Sequence, residues 1–306
     1  MGTPDFAVGT LDALLRGGHT VKAAVTQPDK PKGRGMELAF SPVKEYALTH
    51  NIPVLQPAKV KGNDDFAEIL RSFDADVFVV VAYGKILPKN ILDIPRLGCV
   101  NVHASLLPKY RGSAPIQWCI VAGESESGVT TMLMDEGMDT GDILDIVKCP
   151  IPADMTGGEL HDTLALLGAD IINITLKKLE NGTATPQKQE HDKATYVTML
   201  SKADGKLDFS ESAKAVADRI RAFDPWPTAF CTLGGQMYKL FSPTVGGETD
   251  AVPGTLLSAD ENGVSFACGD KKVMTARIIQ APGSRRMEVS AYLNGHKLPV
   301  GEVCEA

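Results

Sequence analysis

Residues 76–82 read DVFVVVA and residues 98–104 read GCVNVHA. The first run is apolar on both of its alternating faces, so as a strand it needs cover from above and below. Strands of that kind belong in a parallel sheet with helices on each side. The flanking sequence agrees. Strand-like stretches at 19–27 (HTVKAAVTQ), 51–57 (NIPVLQP), 129–134 (VTTMLM) and 143–151 (ILDIVKCPI) alternate with helical stretches at 43–49, near 64–72 and from Pro115 through IQWCIVAG. A long helix carries Leu160, Leu164, Leu167, Ile171 and Ile174 at 4-3-4-3 spacing and stops at Asn181-Gly182. This alternation predicts an α/β fold with an open, mainly parallel, Rossmann-like sheet and helices on both faces.

Two stretches depart from that rhythm. The chain opens on GTPDFAVGTLDALLRGG, a turn running straight into an amphipathic helix. An α/β domain normally places a strand before such a turn, and none is legible here. Residues 27–42 (QPDKPKGRGMELAFSP) read as a long polar loop, a length that usually signals function or disorder. Around 183–203 the composition turns polar, as in a linker. Beyond it a helix at about 210–222 precedes short strands at 229–241, 252–258, 263–270 and 271–280, separated by glycine turns. That pattern predicts a small C-terminal β-barrel of the OB-like kind. The expected division is a catalytic domain at 1–182, a linker at 183–203 and a barrel at 204–306.

A chain of 306 residues accommodates two such domains. No apolar run approaches the length of a membrane span, no signal peptide is visible, and the six cysteines form no CxxC pair. We therefore expect a cytoplasmic protein with reduced thiols and no metal. The net charge of −7 argues only weakly against a nucleic-acid partner, because a local basic patch is what meets phosphate.

The chemistry concentrates where ligands bind in such a sheet, at the C-terminal strand ends. Period 2 places Cys99, Asn101 and His103 on one face of their strand and Val100 and Val102 on the other. DEGMDTGD (135–142) supplies four carboxylates: Asp135, Glu136, Asp139 and Asp142. An amide, an imidazole and a carboxylate suit the addition of an amine to a carbonyl. Amide and protonated imidazole donate to the oxyanion, while a carboxylate fixes the tautomer and steadies the ring's positive charge. Glycine-rich nucleotide loops are absent, which leaves redox and phosphoryl transfer poorly supported. Read without relatives, an isolated histidine at a strand end is more often structural than catalytic; sharing a face with Asn101 makes the two readings even, and spacing does not choose among the four acids.

GCVNVHASLLPKYRGSAPIQW, with GVTTMLMDEGMDTGDIL downstream, resembles the 10-formyltetrahydrofolate-dependent formyltransferases. GTPDFAV, TQPDKPKGRG, VVVAYGKILP, RIRAFDPWP and IIQAPGSRRM extend the resemblance over nearly the whole chain. It implies Asn101, His103 and Asp139 as the catalytic set, and here resemblance alone picks Asp139. It implies folate contacts at Ser105, Leu106, Leu107 and Pro108, and along Tyr83, Gly84, Lys85, Ile86 and Leu87 through backbone groups. The donor would be 10-formyltetrahydrofolate, and the acceptor methionine esterified to initiator tRNA. Lys30, Lys32 and Arg34 in the polar loop would contact tRNA phosphate. Lys271, Lys272, Arg285 and Arg286 in the second domain would do the same. The resemblance further implies a monomer that needs no metal. An amino-sugar nucleotide is the rival acceptor, and a non-catalytic folate- or tRNA-binding protein the rival class.

Overall fold

The computed structural model describes residues 1–32 and 37–305. Along the chain it runs α1 (Phe6–Arg16), β1 (Ala24–Val25), β2 (Lys30–Lys32), β3 (Glu37–Ala39), α2 (Pro42–Thr49), β4 (Val54–Leu55), α3 (Asp64–Ser72) and β5 (Phe78–Val80). Then come α4 (Lys89–Leu92), β6 (Cys99–His103), β7 (Arg111–Gly112), α5 (Pro115–Val121), β8 (Glu126–Leu133), β9 (Ile143–Pro150), α6 (Gly157–Glu180) and β10 (Tyr196–Val197). The C-terminal third holds α7 (Ala213–Ala222), β11 (Phe230–Leu233), β12 (Gln236–Glu248), β13 (Leu256–Asp260), β14 (Gly263–Ala267), β15 (Lys272–Gln280), β16 (Met287–Glu288) and α8 (Val289–Leu293). Two compact units result. One comprises Met1–Pro115, Ser127–Cys149 and His161–Thr198; the other comprises Ile116–Glu126, Pro150–Leu160 and Met199–Ala306.

In the first unit β1 pairs with β4 and β5 with β6, both in parallel, while β6 and β8 run antiparallel. Met1 and Gly2 form the join: Gly2 N donates to Val25 O at 2.9 Å, Val81 N donates to Met1 O at 2.9 Å, and Gly2 bridges Val81 in parallel. The apolar run at 76–82 follows its pattern in part, since Val77 and Val79 on one face are only half-buried. Phe78, Val80 and Val81 are buried, and Phe78 and Val80 pack with Val25, Phe66, Leu70 and Ile91. Capping is local and explicable: Ser41 Oγ accepts from Lys44 N at the start of α2, and Asn63 Oδ1 from Phe66 N at the start of α3.

Three readings need correction. Residues 27–42 are not all loop, since β2 and β3 pair there as an antiparallel hairpin. The strand at 19–27 enters a ladder only at Ala24–Val25. In α6, Leu160, Leu164 and Ile171 are buried, but Ile174 is 55% exposed, and Ile172 and Leu176 take the core positions instead. A straight helix turns every 3.6 residues, so a 4-3-4-3 stripe drifts off the buried face within a few turns.

The second unit contains a curled antiparallel sheet in the order β11-β12-β15-β14-β13, with β16 added to β15. Helix α7, capped by Ser212 Oγ, buries Val216, Ala217 and Ile220 among Leu240, Phe266 and Met274. Phe209 stacks on Phe266, with ring centroids 4.8 Å apart. A helix seated in the concavity of a curled sheet explains why the strands alternate buried and exposed residues.

Candidate active site

Strand β6 ends on Asn101 and His103, both buried. Pairing with β5 on one edge and β8 on the other fixes the strand's rotation, so the two side chains share a face. Asp139 meets them there. Asn101 Nδ2 donates to Asp139 Oδ1 at 3.4 Å, and His103 Nδ1 lies 3.8 Å from Asp139 Oδ2. The other three loop acids do not bond to this pair. Asp135, for instance, accepts from Gly137 N and from Thr140 Oγ1, which closes its own turn. Of the four loop acids, Asp139 is the one that lies within 4 Å of both side chains.

The imidazole is oriented from its far side. His103 Nε2 lies 3.0 Å from Tyr110 O. A carbonyl oxygen only accepts, so Nε2 carries a hydrogen and Nδ1 is the nitrogen turned toward Asp139. At 3.8 Å that carboxylate is too far for a hydrogen bond. It is close enough to stabilise positive charge on the ring.

Asp139 sits in a left-handed backbone conformation, φ +54°, and Tyr110 in another, φ +58°. Such conformations cost about 1–3 kcal/mol each for a side-chain-bearing residue and persist only where neighbours hold them. The neighbours are identifiable. Gly112 N donates to Asp139 Oδ2 at 2.8 Å, and Gln189 Nε2 donates to Asp139 O at 2.9 Å and to Gly141 O at 2.7 Å. Gln189 Oε1 accepts in turn from Arg111 Nε at 3.2 Å and Nη2 at 2.6 Å. Arg111, 1% exposed, also reaches Tyr196 Oη at 2.9 Å and His191 Nδ1 at 3.1 Å. Thr195 accepts from the Tyr110 and Arg111 amides, and β10 pairs in parallel with β7. Gly112 is required at φ +113°, where a Cβ would lie 2.1 Å from Val197 O.

Arg111, Gln189 and Thr195 were not anticipated. Arg111 lies inside the quoted KYRGSAPIQW stretch, where a basic residue flanked by turn residues reads as surface. Gln189 lies in a polar stretch whose composition resembles a linker, yet it is 5% exposed. No local signal marks either.

The remaining expected residues fall in three places. Ser105 is buried with its hydroxyl donated to Lys109 O, Leu107 is buried, and Leu106 and Pro108 are half-buried just past His103. Tyr83 and Leu87 are core side chains, whereas Ile86 is 75% exposed. Gly84 turns at φ +71° beside Gln27, and Lys85 Nζ donates to Pro57 O and Ala58 O. Burial pushes the Tyr83 phenol up to about 12, and its hydroxyl has no hydrogen-bond partner. A cleft of about 590 Å³ in this unit is lined by none of these residues.

Among the basic residues, Lys30 is exposed, Lys32 ends β2, and Arg34 lies outside the described residues. Lys272 and Arg285 are exposed, and Lys271 pairs with the exposed Asp250 at 3.0 Å. Arg286 is committed inside its own unit: its guanidinium makes two bonds to Asp224, at 2.9 and 2.7 Å, and lies 3.8 Å over the Phe241 ring. Among the described residues no helix is long and apolar enough to cross a membrane.

Comparison with known proteins places this geometry in context. A profile described as formyl transferase matches residues 1–176, and one described as formyl transferase, C-terminal domain, matches 199–297. The chain is 48% identical to the methionyl-tRNA formyltransferase of Lachnospira eligens over 98% of this chain and 97% of that one. It is 52% identical to the methionyl-tRNA formyltransferase of Desulfotalea psychrophila over 97% and 92%. The N-formyltransferase of Helicobacter canadensis, solved in complex with folinic acid and dTDP-3-aminofucose, superposes with a TM-score of 0.67. At 20% identity, covering 92% of this chain and 97% of that one, it shows a shared fold. Two family profiles that together span most of the sequence, and relatives near half identity over almost all of it, make this chain a member of the formyl transferase family.

Proposed function

We propose that this chain transfers the formyl group of 10-formyltetrahydrofolate to the α-amino group of initiator methionyl-tRNA, giving N-formylmethionyl-tRNA for translation initiation. The observation that carries the reading is the meeting of Asn101, His103 and Asp139 at the end of β6, in a chain about half identical to methionyl-tRNA formyltransferases. The neutral amine attacks the formyl carbon, and the carbonyl oxygen becomes an oxyanion. Asn101 donates to it, and His103 supplies positive charge beside it once the ring has taken the amine's proton. Because Nε2 is held by Tyr110 O, Nδ1 is the nitrogen that takes the proton from the attacking amine and hands it to the leaving folate nitrogen. The bond from the formyl carbon to that nitrogen breaks, and tetrahydrofolate departs. Asp139 stabilises the ring while it is charged.

Lys30, Lys32, Arg34, Lys271, Lys272 and Arg285 are the side chains we assign to tRNA phosphate; the ion pair to Asp224 makes Arg286 the weakest candidate. The folate contacts are assigned to 105–108 and to the main chain of 83–87. We place the enzyme in the cytoplasm as a monomer that works without a metal.

Supplying 10-formyltetrahydrofolate with charged initiator tRNA, charged elongator tRNA and an amino-sugar nucleotide in parallel tests the acceptor. Formylation should favour the initiator tRNA; preference for the sugar nucleotide would reject the tRNA assignment while leaving formyl transfer intact. Affinity for tRNA should fall steeply with salt, and Lys272→Ala or Arg285→Ala should each lower that slope by about 1.

A further inference from the structure

Two cysteines that the reaction does not use meet in the second unit. Cys231 belongs to β11, is 2% exposed and packs in the core of the curled sheet. Cys304 is half-buried and packs against the same core.

The main chain brings them together. The sheet order ends on β11 at one edge and β13 at the other, and residues 301–305 bond to both. Gly301 N donates to Leu256 O at 2.8 Å, Leu256 N to Glu302 O at 2.8 Å and Cys304 N to Gly254 O at 2.9 Å. Glu305 N then donates across to Thr232 O at 2.9 Å, next to Cys231. An antiparallel bridge between Thr255 and Val303 sets the direction of the segment. Cys231 and Leu233 are the buried residues of β11, so the Cys231 thiol points to the side on which Cys304 packs. There the thiols meet: a hydrogen bond to Cys304, with burial, pushes the Cys231 thiol well up. Other cysteines are committed differently. Cys99, Cys119 and Cys268 give their thiols to the main-chain carbonyls of Leu92, Ile116 and Phe266.

We propose that Cys231 and Cys304 form a reversible disulfide that fastens residues 301–305 across the two sheet edges, with a small-molecule disulfide as the oxidant. Cys304, the more accessible partner, reacts first. Its thiolate attacks one sulfur of the small disulfide, which gives a mixed disulfide and releases a thiolate. Cys231 loses its proton and attacks the Cys304 sulfur. The bond from that sulfur to the small molecule breaks, and the second small thiol leaves with the proton. Two protein thiols are oxidised, and the small disulfide is reduced to two thiols. The new bond closes a loop over most of the second unit and so removes conformations from the unfolded chain. In a reducing compartment the hydrogen-bonded dithiol is the resting form.

The test incubates the folded chain with oxidised glutathione, quenches in acid, alkylates under denaturation and maps peptides by mass. Titratable thiols should fall from six to four, with the loss of two hydrogens and one linked pair of peptides, those of Cys231 and Cys304. The thermal midpoint should rise by at least about 4 °C, and dithiothreitol should reverse both changes. Cys304→Ser, with a midpoint near the parent's before oxidation, should keep its remaining thiols and show no rise. Six thiols still titratable, glutathione retained on Cys304, a link between other cysteines or a link between two chains would each overturn the proposal. So would a Cys231–Cys304 bond that leaves the midpoint unchanged.

Discussion

Around Asp139 each carboxylate oxygen and the main-chain carbonyl has a donor within 3.4 Å, supplied by Asn101, Gly112 and Gln189. Along 83–87, in the same unit, the Tyr83 hydroxyl is buried with no hydrogen-bond partner. The contrast shows where the fold spends its hydrogen bonds. At the end of β6 they hold two left-handed residues in conformations that would otherwise relax, which keeps the Asp139 carboxylate beside Asn101 and His103. At Tyr83 no hydrogen bond holds the hydroxyl, and apolar packing alone places the ring.

If the braced end is the reaction centre, His103→Ala or Asn101→Ala should lower kcat by at least ~10²–10³-fold while the thermal midpoint stays near that of the parent. Asp139→Asn should lose at least ~10²-fold, because a neutral amide cannot steady an imidazolium. Activity near the parent's in either His103→Ala or Asn101→Ala would remove the difference between the two regions.

Gln189→Ala tests the bracing itself. Leaving the Asp139 and Gly141 carbonyls without their donor and Arg111 without its acceptor should cost about 1–3 kcal/mol in stability. It should also lower kcat about 10-fold with little change in folate affinity. A fall in folate affinity with kcat unchanged would mean that Gln189 does not position Asp139. The smallest effect belongs to Tyr83→Phe. Its hydroxyl is buried and unpaired, so removing it should leave stability within about 1 kcal/mol and folate affinity unaltered, if that loop contributes through its main chain.

Much of this was legible locally. Alternation placed Asn101 and His103 on one face of a buried strand because a strand's period of 2 is a property of adjacent residues. The apolar run at 76–82 implied cover on both sides for the same reason. The long helix shows the limit: Leu160, Leu164 and Ile171 of its predicted stripe are buried, Leu167 is only half-buried and Ile174 is exposed, because the repeat of the pattern and the repeat of the helix differ slightly and the error accumulates.

What adjacency could not supply was decided between distant segments. Four acids within eight residues are equivalent in sequence; Asp139 differs only because Gly112 and Gln189, from chain 27 residues before and 50 residues after it, hold its backbone at a positive φ. A polar stretch with the composition of a linker became the support of the site, since its hydrogen bonds run to β7 and to the Asp139 loop. Residue pattern specifies how a segment presents its own side chains. Which segments then satisfy one another's buried polar groups is a property of the folded chain, because a hydrogen bond depends on distance in space and carries no trace in local composition.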